Sequence, residues 1–315
     1  MQRRPIVIGT RGSALALWQA ERIAESLHAR YPDRHCTIRS IRTGGDVSRE
    51  VALAEIGTRG IFVKEIEAAL LAREVDLGVH SLKDLPSSLP DDLALAAVSP
   101  REDPRDALIT RSRCTLSELP AGARLGTSSP RRGAQLLAAR PDLVIENIRG
   151  NVDTRVRKAL EGNYDGIVLA VAGLRRLGLE DRISEYMPLT VMLPAPGQGV
   201  IAVEARTDDD EMLGLAAGID DVPTHLAVRA ERAMVRALGG GCTTPIGAYG
   251  VVEGEAVRLQ GMVASPDGKL LVQAESSGSA RHPESVGAEL AKRLWESGGG
   301  EVLEALGYGK AQGIE

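Results

Sequence analysis

The chain has 315 residues, more than one ordinary domain needs and enough for two or three domains that each bury a core. Its net charge of −5 argues against a general polyanion-binding protein. An aromatic content of 3%, with a single Phe, argues against a base-stacking surface for nucleic acid. Any anion site must therefore be local.

The cysteines and the N-terminus bear on the compartment. Cys36, Cys114 and Cys242 lie far apart and match neither a disulfide framework nor a zinc-ligand spacing. The chain enters a strand-like segment at Pro5–Ile8 without the apolar stretch of a signal peptide, and no run of about 18 apolar residues predicts a transmembrane helix. We therefore expect a soluble, cytoplasmic protein with no metal site and no membrane or nucleic-acid partner.

The first two thirds of the chain alternate strand and helix signals, which is typical of open α/β sheets. Ile6–Ile8 predicts a strand, Gly9–Gly12 a turn, and Ser13 the N-cap of a helix. The alternation continues with strands at Thr37–Thr43, Asp76–His80 and Gly166–Val171 and a helix at Ile61–Arg73. After the apolar run Leu93–Val98 a second cycle begins at Ala107–Thr110, with helices from Pro130 and after Gly150. Proline- and glycine-rich stretches at Pro100–Pro104 and Leu193–Gly199 are candidate hinges.

The pattern changes after the second hinge, where Val200–Ala205 predicts a strand and Thr207–Glu211 an acidic turn. Beyond Asp220 we expect a smaller α+β domain. Its predicted elements are a helix at Thr224–Leu238 that stops at Gly239–Gly241, strands at Val257–Val263 and Leu270–Ala274 joined by a hairpin turn at Ser265–Gly268, and a helix at Pro283–Glu296.

Basic residues concentrate between Arg124 and Arg182, where eleven Lys or Arg stand against seven Asp or Glu. Within this stretch Gly126–Arg132 puts hydroxyls and two arginines where Pro130 should start a helix, and a helix start favours anions. Asn147–Arg155 carries two more arginines across a predicted strand-to-helix turn, and Arg11 sits in the comparable turn after the first strand. The alternative for each arginine is a solvated surface charge.

Two further stretches are candidate chemical sites. In His80–Pro86, Asp84 could transfer a proton or stabilise a developing cation, although Lys83 and Asp84 could also form an exposed turn, and we interpret His80 as a packed strand residue. Cys242 lies in a glycine-rich loop that leaves the thiol uncrowded, as a nucleophile, an attachment point or an inert buried residue.

Nine ordered blocks make the chain resemble the porphobilinogen deaminase (hydroxymethylbilane synthase) family along nearly its whole length. The blocks are Thr10–Gln19, Gly60–Glu65, Val79–Pro86, Arg101–Ala107, Gly126–Arg132, Arg149–Val152, Leu169–Leu174, Pro196–Gly199 and Gly240–Cys242.

The resemblance implies two periplasmic-binding-protein-like α/β domains, residues 1–98 with 199–219 and residues 99–198, plus a smaller α+β C-terminal domain, residues 220–315, that carries the cofactor cysteine. It also implies a monomeric transferase. In such an enzyme four porphobilinogen molecules are deaminated, joined head to tail on a covalent dipyrromethane primer and released by water as hydroxymethylbilane, in porphyrin and haem biosynthesis.

The resemblance implies residue roles as well. Asp84 is the catalytic residue, and Cys242 holds the dipyrromethane through a thioether. The residues expected to bind the cofactor are Lys83, Ser129, Arg131, Arg132, Ser81 and Thr127. Those expected to bind substrate are Arg11, Ser13, Arg149, Arg155, Arg176, Phe62, Gln19 and Gln198, with Phe62 equally explained as one core aromatic. Arginine suits this task because each pyrrole carries an acetate and a propionate.

Two positions depart from the family pattern. Pro130 stands where leucine is common, and Glu55, in a predicted loop at Arg49–Arg59, stands where lysine is common. Two other protein classes fit the sequence less well. A two-lobed anion-binding protein has no use for Cys242 in its loop, and a cysteine-nucleophile hydrolase would need a histidine beside that thiol, which the sequence does not offer.

Overall fold

The computed structural model describes residues 4–42, 63–241 and 243–308. Its strands are β1 (Ile6–Arg11), β2 (Cys36–Ile41), β3 (Leu77–Ser81), β4 (Leu93–Val98), β5 (Asp106–Thr110), β6 (Arg124–Gly126), β7 (Val144–Glu146), β8 (Gly166–Ala170), β9 (Glu185–Tyr186), β10 (Ile201–Arg206), β11 (Ile246–Glu253), β12 (Ala256–Ala264) and β13 (Leu271–Ser279). Its α-helices are α1 (Ala14–Arg30), α2 (Lys64–Leu71), α3 (Pro130–Ala139), α4 (Val152–Leu160), α5 (Val171–Arg176), α6 (Asp210–Ala217), α7 (Val222–Ala237), α8 (Pro283–Leu294) and α9 (Gly300–Ala305).

Two five-stranded sheets share one arrangement. The first has the order β2-β1-β3-β10-β4 and the second the order β7-β6-β8-β5-β9. In each sheet three neighbouring strands are parallel, and the fourth strand runs antiparallel to both of its neighbours. Along the chain, β5 follows the crossover from β4, and β10 follows the crossover from β9. The second sheet, β5 to β9, is therefore continuous in sequence, whereas the first sheet is completed by β10 after the chain returns.

A third sheet, β11-β12-β13, is antiparallel and packs against α8. Together the three sheets confirm the predicted fold class, two α/β parts followed by a smaller α+β part. The described residues cluster into two compact units: unit 1 lies within Met1–Arg101 and Val200–His225, and unit 2 within Glu102–Gly199 and Leu226–Glu315. The three-domain division at residues 98, 199 and 220 stays a prediction.

Helix α1 shows how the local sequence places the first loop of unit 1. The Ser13 hydroxyl caps the helix by accepting a hydrogen bond from the Ala16 N–H at 3.3 Å. The apolar positions Ala20, Ile23 and Leu27 recur at helical spacing and are buried in one cluster with β1 and β3. Packing of that face fixes the segment between Arg11 and Ser13 at the end of β1.

The predicted turn at Gly9–Gly12 is wrong for its first three residues. Gly9, Thr10 and Arg11 continue β1 and pair in register with β2. A Cβ on Gly9 would lie 3.0 Å from a Val75 methyl, so this glycine serves close packing under the sheet rather than a turn. Arg11 is consequently the last residue of the strand.

The predicted acidic turn at Thr207–Glu211 is also partly wrong, because it contains the start of a helix. The Asp209 carboxylate accepts a hydrogen bond from the Met212 N–H at 3.1 Å and caps α6. The acidic residues that follow favour the positive end of the helix dipole.

The predicted hairpin turn at Ser265–Gly268 is confirmed between β12 and β13. Ser265 N–H donates to the Leu270 carbonyl at 2.8 Å, and Gly268 adopts a positive φ of 70°. A Cβ on Gly268 would lie 2.5 Å from the backbone nitrogen of Ala138, so the hairpin tip packs directly on α3.

Candidate active site

Two parallel strands of unit 1 deliver predicted site residues to one edge of the sheet. β1 ends at Arg11 and β3 ends at Ser81, and the two strands are direct neighbours. The Thr10 hydroxyl ties them together by donating to the Val79 carbonyl at 3.0 Å. The carboxyl ends of parallel strands are where ligands bind in open α/β sheets, so this edge is a candidate site.

Lys83 and Asp84 follow β3 on a short 3₁₀ turn, Leu82–Asp84. Leu82 and Leu85 flank them and are buried, and the Leu82 N–H donates to the Val200 carbonyl at 2.9 Å. The turn is therefore anchored by its apolar neighbours, while the two charged side chains stay partly exposed.

Gln19 lies beneath this edge. Its amide Nε2 donates to the Ser81 hydroxyl at 2.9 Å, and the side chain is almost completely buried. The predicted substrate contact of Gln19 stays a prediction, and the geometry adds that Gln19 orients Ser81.

Unit 2 repeats this arrangement at the carboxyl ends of β6, β7 and β8. Thr127 and Ser129 follow β6, Arg149 follows β7, and Arg176 closes the short helix after β8. These three strands are parallel neighbours, so their ends meet at one edge of the second sheet. Sequence analysis singles out Arg149 from its strand-end turn, whereas the roles of Thr127, Ser129 and Arg176 follow from the family resemblance.

Ser128 joins the first two of these turns. Its hydroxyl donates to the Ile148 carbonyl at 2.6 Å and accepts from the Ile148 N–H at 3.2 Å. One side chain thereby satisfies both backbone groups of a buried residue next to Arg149.

Arg155 belongs to the same edge through the backbone of the second turn. Its Nε donates to the Gly150 carbonyl at 2.6 Å, and Lys158 Nζ donates to the Arg149 carbonyl at 3.1 Å. A glycine suits position 150 because its φ is +117°. Helix α4 and this turn are thus held together around both predicted substrate arginines.

Arg131 and Arg132 converge on a carboxylate that sequence analysis did not single out. Asp106, the first residue of β5, is fully buried. Arg132 donates to Asp106 Oδ1 from Nε at 3.0 Å and from a terminal nitrogen at 2.7 Å, and Arg131 pairs with Oδ2 at 2.8 Å. Burial alone would raise the pKa of Asp106, but the charges of the two arginines outweigh burial and hold it well below its usual range.

The same carboxylate receives Gln198 from the second crossover. Gln198 Nε2 donates to Asp106 Oδ1 at 3.0 Å and to the Pro104 carbonyl at 2.7 Å. Nearby, an Arg176 terminal nitrogen donates to the Gly199 carbonyl at 2.6 Å, and burial lowers the pKa of Arg176 to about 10. Both predicted substrate residues therefore also tether the second crossover.

A second buried carboxylate missed by sequence analysis is Glu231 on α7. It accepts the Gly197 N–H at 2.6 Å and the Gly250 N–H at 2.8 Å. Asp106 directly follows the charged run Arg101–Arg105, and Glu231 stands between Arg229 and Arg232, so no local sequence signal sets either carboxylate apart.

Two predicted residues, Phe62 and Cys242, lie outside the described residues, as does the predicted loop at Arg49–Arg59 with Glu55. Next to Cys242, the Gly241 N–H donates to the Thr244 hydroxyl at 2.9 Å, and the Thr243 hydroxyl lies 3.1 Å from that of Tyr308.

The sequence matches two family models over most of its length. The model described as "Porphobilinogen deaminase, dipyromethane cofactor binding domain" covers residues 6–214, and "Porphobilinogen deaminase, C-terminal domain" covers residues 225–296. The chain belongs to the porphobilinogen deaminase family. The resemblance read from the nine sequence blocks is confirmed, and so is the dipyrromethane cofactor that it implied.

Curated relatives with the name porphobilinogen deaminase span almost the entire chain. The chain is 53% identical to the protein of Desulforudis audaxviator over 307 residues, covering 98% of this chain and 99% of the relative. It is 50% identical to the porphobilinogen deaminase of Roseiflexus castenholzii over 301 residues, covering 96% of this chain and 99% of the relative.

Among solved structures, the aliphatic sulphonate binding protein SsuA of Escherichia coli is 14% identical with a TM-score of 0.38, covering 74% of this chain and 70% of that one. The fold class is therefore assigned from the sheet topology and not from this structural similarity. Within the described ranges, no helix is both long enough and apolar enough to cross a bilayer.

Proposed function

We propose that the chain is a hydroxymethylbilane synthase, a transferase that deaminates four porphobilinogen molecules, joins them head to tail and releases the product by hydrolysis. The observation that carries the proposal is the match to both domains of the porphobilinogen deaminase family, over residues 6–214 and 225–296. Each addition breaks the C–N bond of an aminomethyl group, releases ammonia and forms a C–C bond to the α-carbon of the preceding pyrrole, which loses a proton.

The residues of unit 2 fit a carboxylate-bearing cofactor. Arg131 and Arg132 carry two positive charges, and Asp106 supplies one negative charge, which leaves one cation in excess at a buried position. In addition, Arg131 Nε is buried without a hydrogen-bond partner among the described residues. An acetate or propionate would satisfy both the charge and the donor.

In this proposal Arg131, Arg132, Lys83 and Ser129 hold the side-chain carboxylates of the dipyrromethane, with Ser81 and Thr127 as hydroxyl donors, and Cys242 as the attachment point. When bound, the dipyrromethane supplies the covalently held α-carbon to which the first substrate ring is joined. A thiolate with a glycine-rich approach suits such an attachment.

The remaining strand-end residues hold the incoming pyrrole. Arg149 and Arg155 stand at one sheet edge of unit 2 and Arg11 at the corresponding edge of unit 1. Guanidinium groups stay charged at every relevant pH and bind carboxylates through two parallel hydrogen bonds. Ser13, Gln19, Phe62, Arg176 and Gln198 complete the proposed substrate set.

Asp84 is the proposed catalytic residue. Its short turn keeps a carboxylate at the end of β3, between the anchoring side chains of Leu82 and Leu85. A carboxylate there stabilises the positive charge that develops on a pyrrole as ammonia leaves, and it can accept the pyrrole N–H as a hydrogen bond.

Intact-protein mass spectrometry tests the proposal. We expect an adduct of two pyrrole units on the wild type and none on Cys242→Ser, with Cys114→Ser as the matched cysteine control that keeps the adduct. Asp84→Asn should carry the adduct while turnover of porphobilinogen collapses by about 10²-fold or more.

Other outcomes assign other functions. A folded wild type that carries no adduct and binds dicarboxylates reversibly would favour the two-lobed anion-binding protein. An Asp84→Asn enzyme with normal turnover would remove Asp84 from the mechanism, while leaving the attachment at Cys242 in place.

A further inference from the structure

The fully buried Asp106 collects hydrogen bonds or ion pairs from three side chains that the proposed function places near the reaction. They are Arg131 and Arg132 on α3 and Gln198 in the second crossover. We propose that Asp106 is a positioning residue that fixes both guanidiniums for the cofactor carboxylates and ties them to the second crossover. The inference rests on the proposed function and adds a residue to its machinery.

Asp106 and its surroundings fix three donor nitrogens of Arg132. Nε and one terminal nitrogen donate to Asp106, and the other terminal nitrogen donates to the Val168 carbonyl at 3.1 Å. A planar guanidinium held on three nitrogens has one orientation. A ligand carboxylate that meets a fixed guanidinium loses less conformational entropy on binding than one that must order a mobile arginine.

Arg131 is held through one terminal nitrogen, which leaves its Nε as a donor for a ligand. A terminal nitrogen donates to the Leu193 carbonyl at 2.6 Å and pairs with Asp106 at 2.8 Å. Gln135 donates to the same carbonyl at 3.1 Å and accepts the Leu193 N–H at 2.7 Å. With that terminal nitrogen committed, the buried Nε is a donor without a hydrogen bond among the described residues.

The negative charge of Asp106 also holds the two arginines together. Two buried guanidiniums without a carboxylate would repel each other and turn toward water, because an unpaired buried charge is strongly disfavoured. One carboxylate between two arginines leaves a single net positive charge, which attracts an anionic ligand without separating the pair.

Asp106 is also linked to the two crossovers through Gln198. Gln198 Nε2 bridges Asp106 and the Pro104 carbonyl, and Pro104 belongs to the first crossover. Glu102 N–H also donates to the Gly199 carbonyl at 3.1 Å. Asp106 thereby connects the arginine pair to both crossover segments.

Asp103 offers a matched control. It is an aspartate of the same segment and accepts hydrogen bonds from Arg105 Nε at 2.9 Å, with Arg175 3.4 Å away. It therefore also lies between two arginines. Neither of those arginines is among the proposed cofactor or substrate residues, so Asp103→Asn removes a comparable ion cluster without touching the proposed machinery.

The experiment compares full-length Asp106→Asn and Asp103→Asn with the wild type. Intact mass gives the fraction of chains loaded with the two-pyrrole adduct and the rate of loading from porphobilinogen. We expect slower loading of Asp106→Asn and a kcat per loaded chain reduced by about 10²-fold, with KM within about twofold of the wild type. A purely structural aspartate would lower the yield of loaded enzyme but not the kcat of each loaded chain.

The inference is overturned if Asp106→Asn matches Asp103→Asn in loading rate and in kcat per loaded chain. Should Asp106→Asn fail to fold, Asp106→Glu keeps the charge and displaces the carboxylate by one methylene. Its kcat per loaded chain should fall below that of Asp103→Glu, and equality with Asp103→Glu overturns the inference. A wild type without any adduct overturns the proposed function itself, so the two failures differ.

Discussion

Ser128 connects the turn that carries Ser129 to the turn that carries Arg149, and Ser128→Ala tests how much this connection contributes. The change removes both hydrogen bonds to Ile148, at 2.6 and 3.2 Å, and leaves a buried N–H and carbonyl without their side-chain partner. Unsatisfied buried backbone groups of this kind cost about 1–3 kcal/mol. Local opening at Ile148 should therefore become about 5–150-fold more frequent.

Native-state hydrogen–deuterium exchange of the peptide that contains Ile148 measures this opening directly. The functional counterpart is a higher KM for porphobilinogen, because Arg149 follows Ile148 and a displacement of about 1 Å can cost up to 10²-fold. Ser26→Ala is the control, since the Ser26 hydroxyl makes a single hydrogen bond to the Arg22 carbonyl on the exposed side of α1. Unchanged exchange at Ile148, or faster exchange spread evenly over the chain, would refute the reasoning.

Three further predictions concern a substrate arginine, a hairpin and a carboxylate. Arg149→Ala should lower kcat/KM for porphobilinogen by about 10–150-fold through loss of a charged hydrogen bond, whereas the exposed Arg157→Ala should not; equal effects in steady-state kinetics would contradict the assignment. Gly268→Ala should destabilise unit 2 by about 2–4 kcal/mol in urea unfolding, because a positive φ and a clash with α3 combine. Gly254→Ala is the control: its φ is also positive, but nothing lies within 4 Å of the added Cβ, so it should cost about 1–2 kcal/mol. The reverse order would be inconsistent with the packing. Burial alone would raise the pKa of Asp76, but hydrogen bonds from Arg4 and the Val7 N–H outweigh burial and lower that pKa below its usual range. The stabilisation is therefore present above the unfolded pKa of about 3.9 and is lost as pH falls. Asp76→Asn should flatten the fall of Tm between about pH 5 and pH 3, and a slope equal to that of the wild type would argue against this ion pair.

Much of the fold was accessible from sequence because periodicity and end signals agreed along the chain. The hairpin turn at Ser265–Gly268 and the helix that starts at Pro130 are both predicted and observed. The errors came where one residue type serves two purposes. Gly9 has the composition of a turn, but it continues a strand because a neighbouring valine packs against it.

Some residues of the candidate site could be predicted from the sequence and others could not. Arginines in strand-end turns could be predicted because the carboxyl ends of parallel strands meet at one edge. Asp106 and Ser128 could not, because their importance comes from partners 26 and 20 residues away along the chain, and those distances become contacts only after folding. Short sequence motifs therefore identify ligand-binding side chains more readily than the residues that position those side chains.

The late return of β10 to the first sheet constrains the order in which the two sheets can be completed during synthesis. β10 lies between β3 and β4, yet it leaves the ribosome after the entire second sheet, which is contained in Asp106–Tyr186. The first sheet therefore waits as an incomplete set of four strands with two unpaired inner edges, while the second sheet can already close. Until residue 206 has emerged, the inner edges of β3 and β4 lack the hydrogen-bond partners that β10 provides.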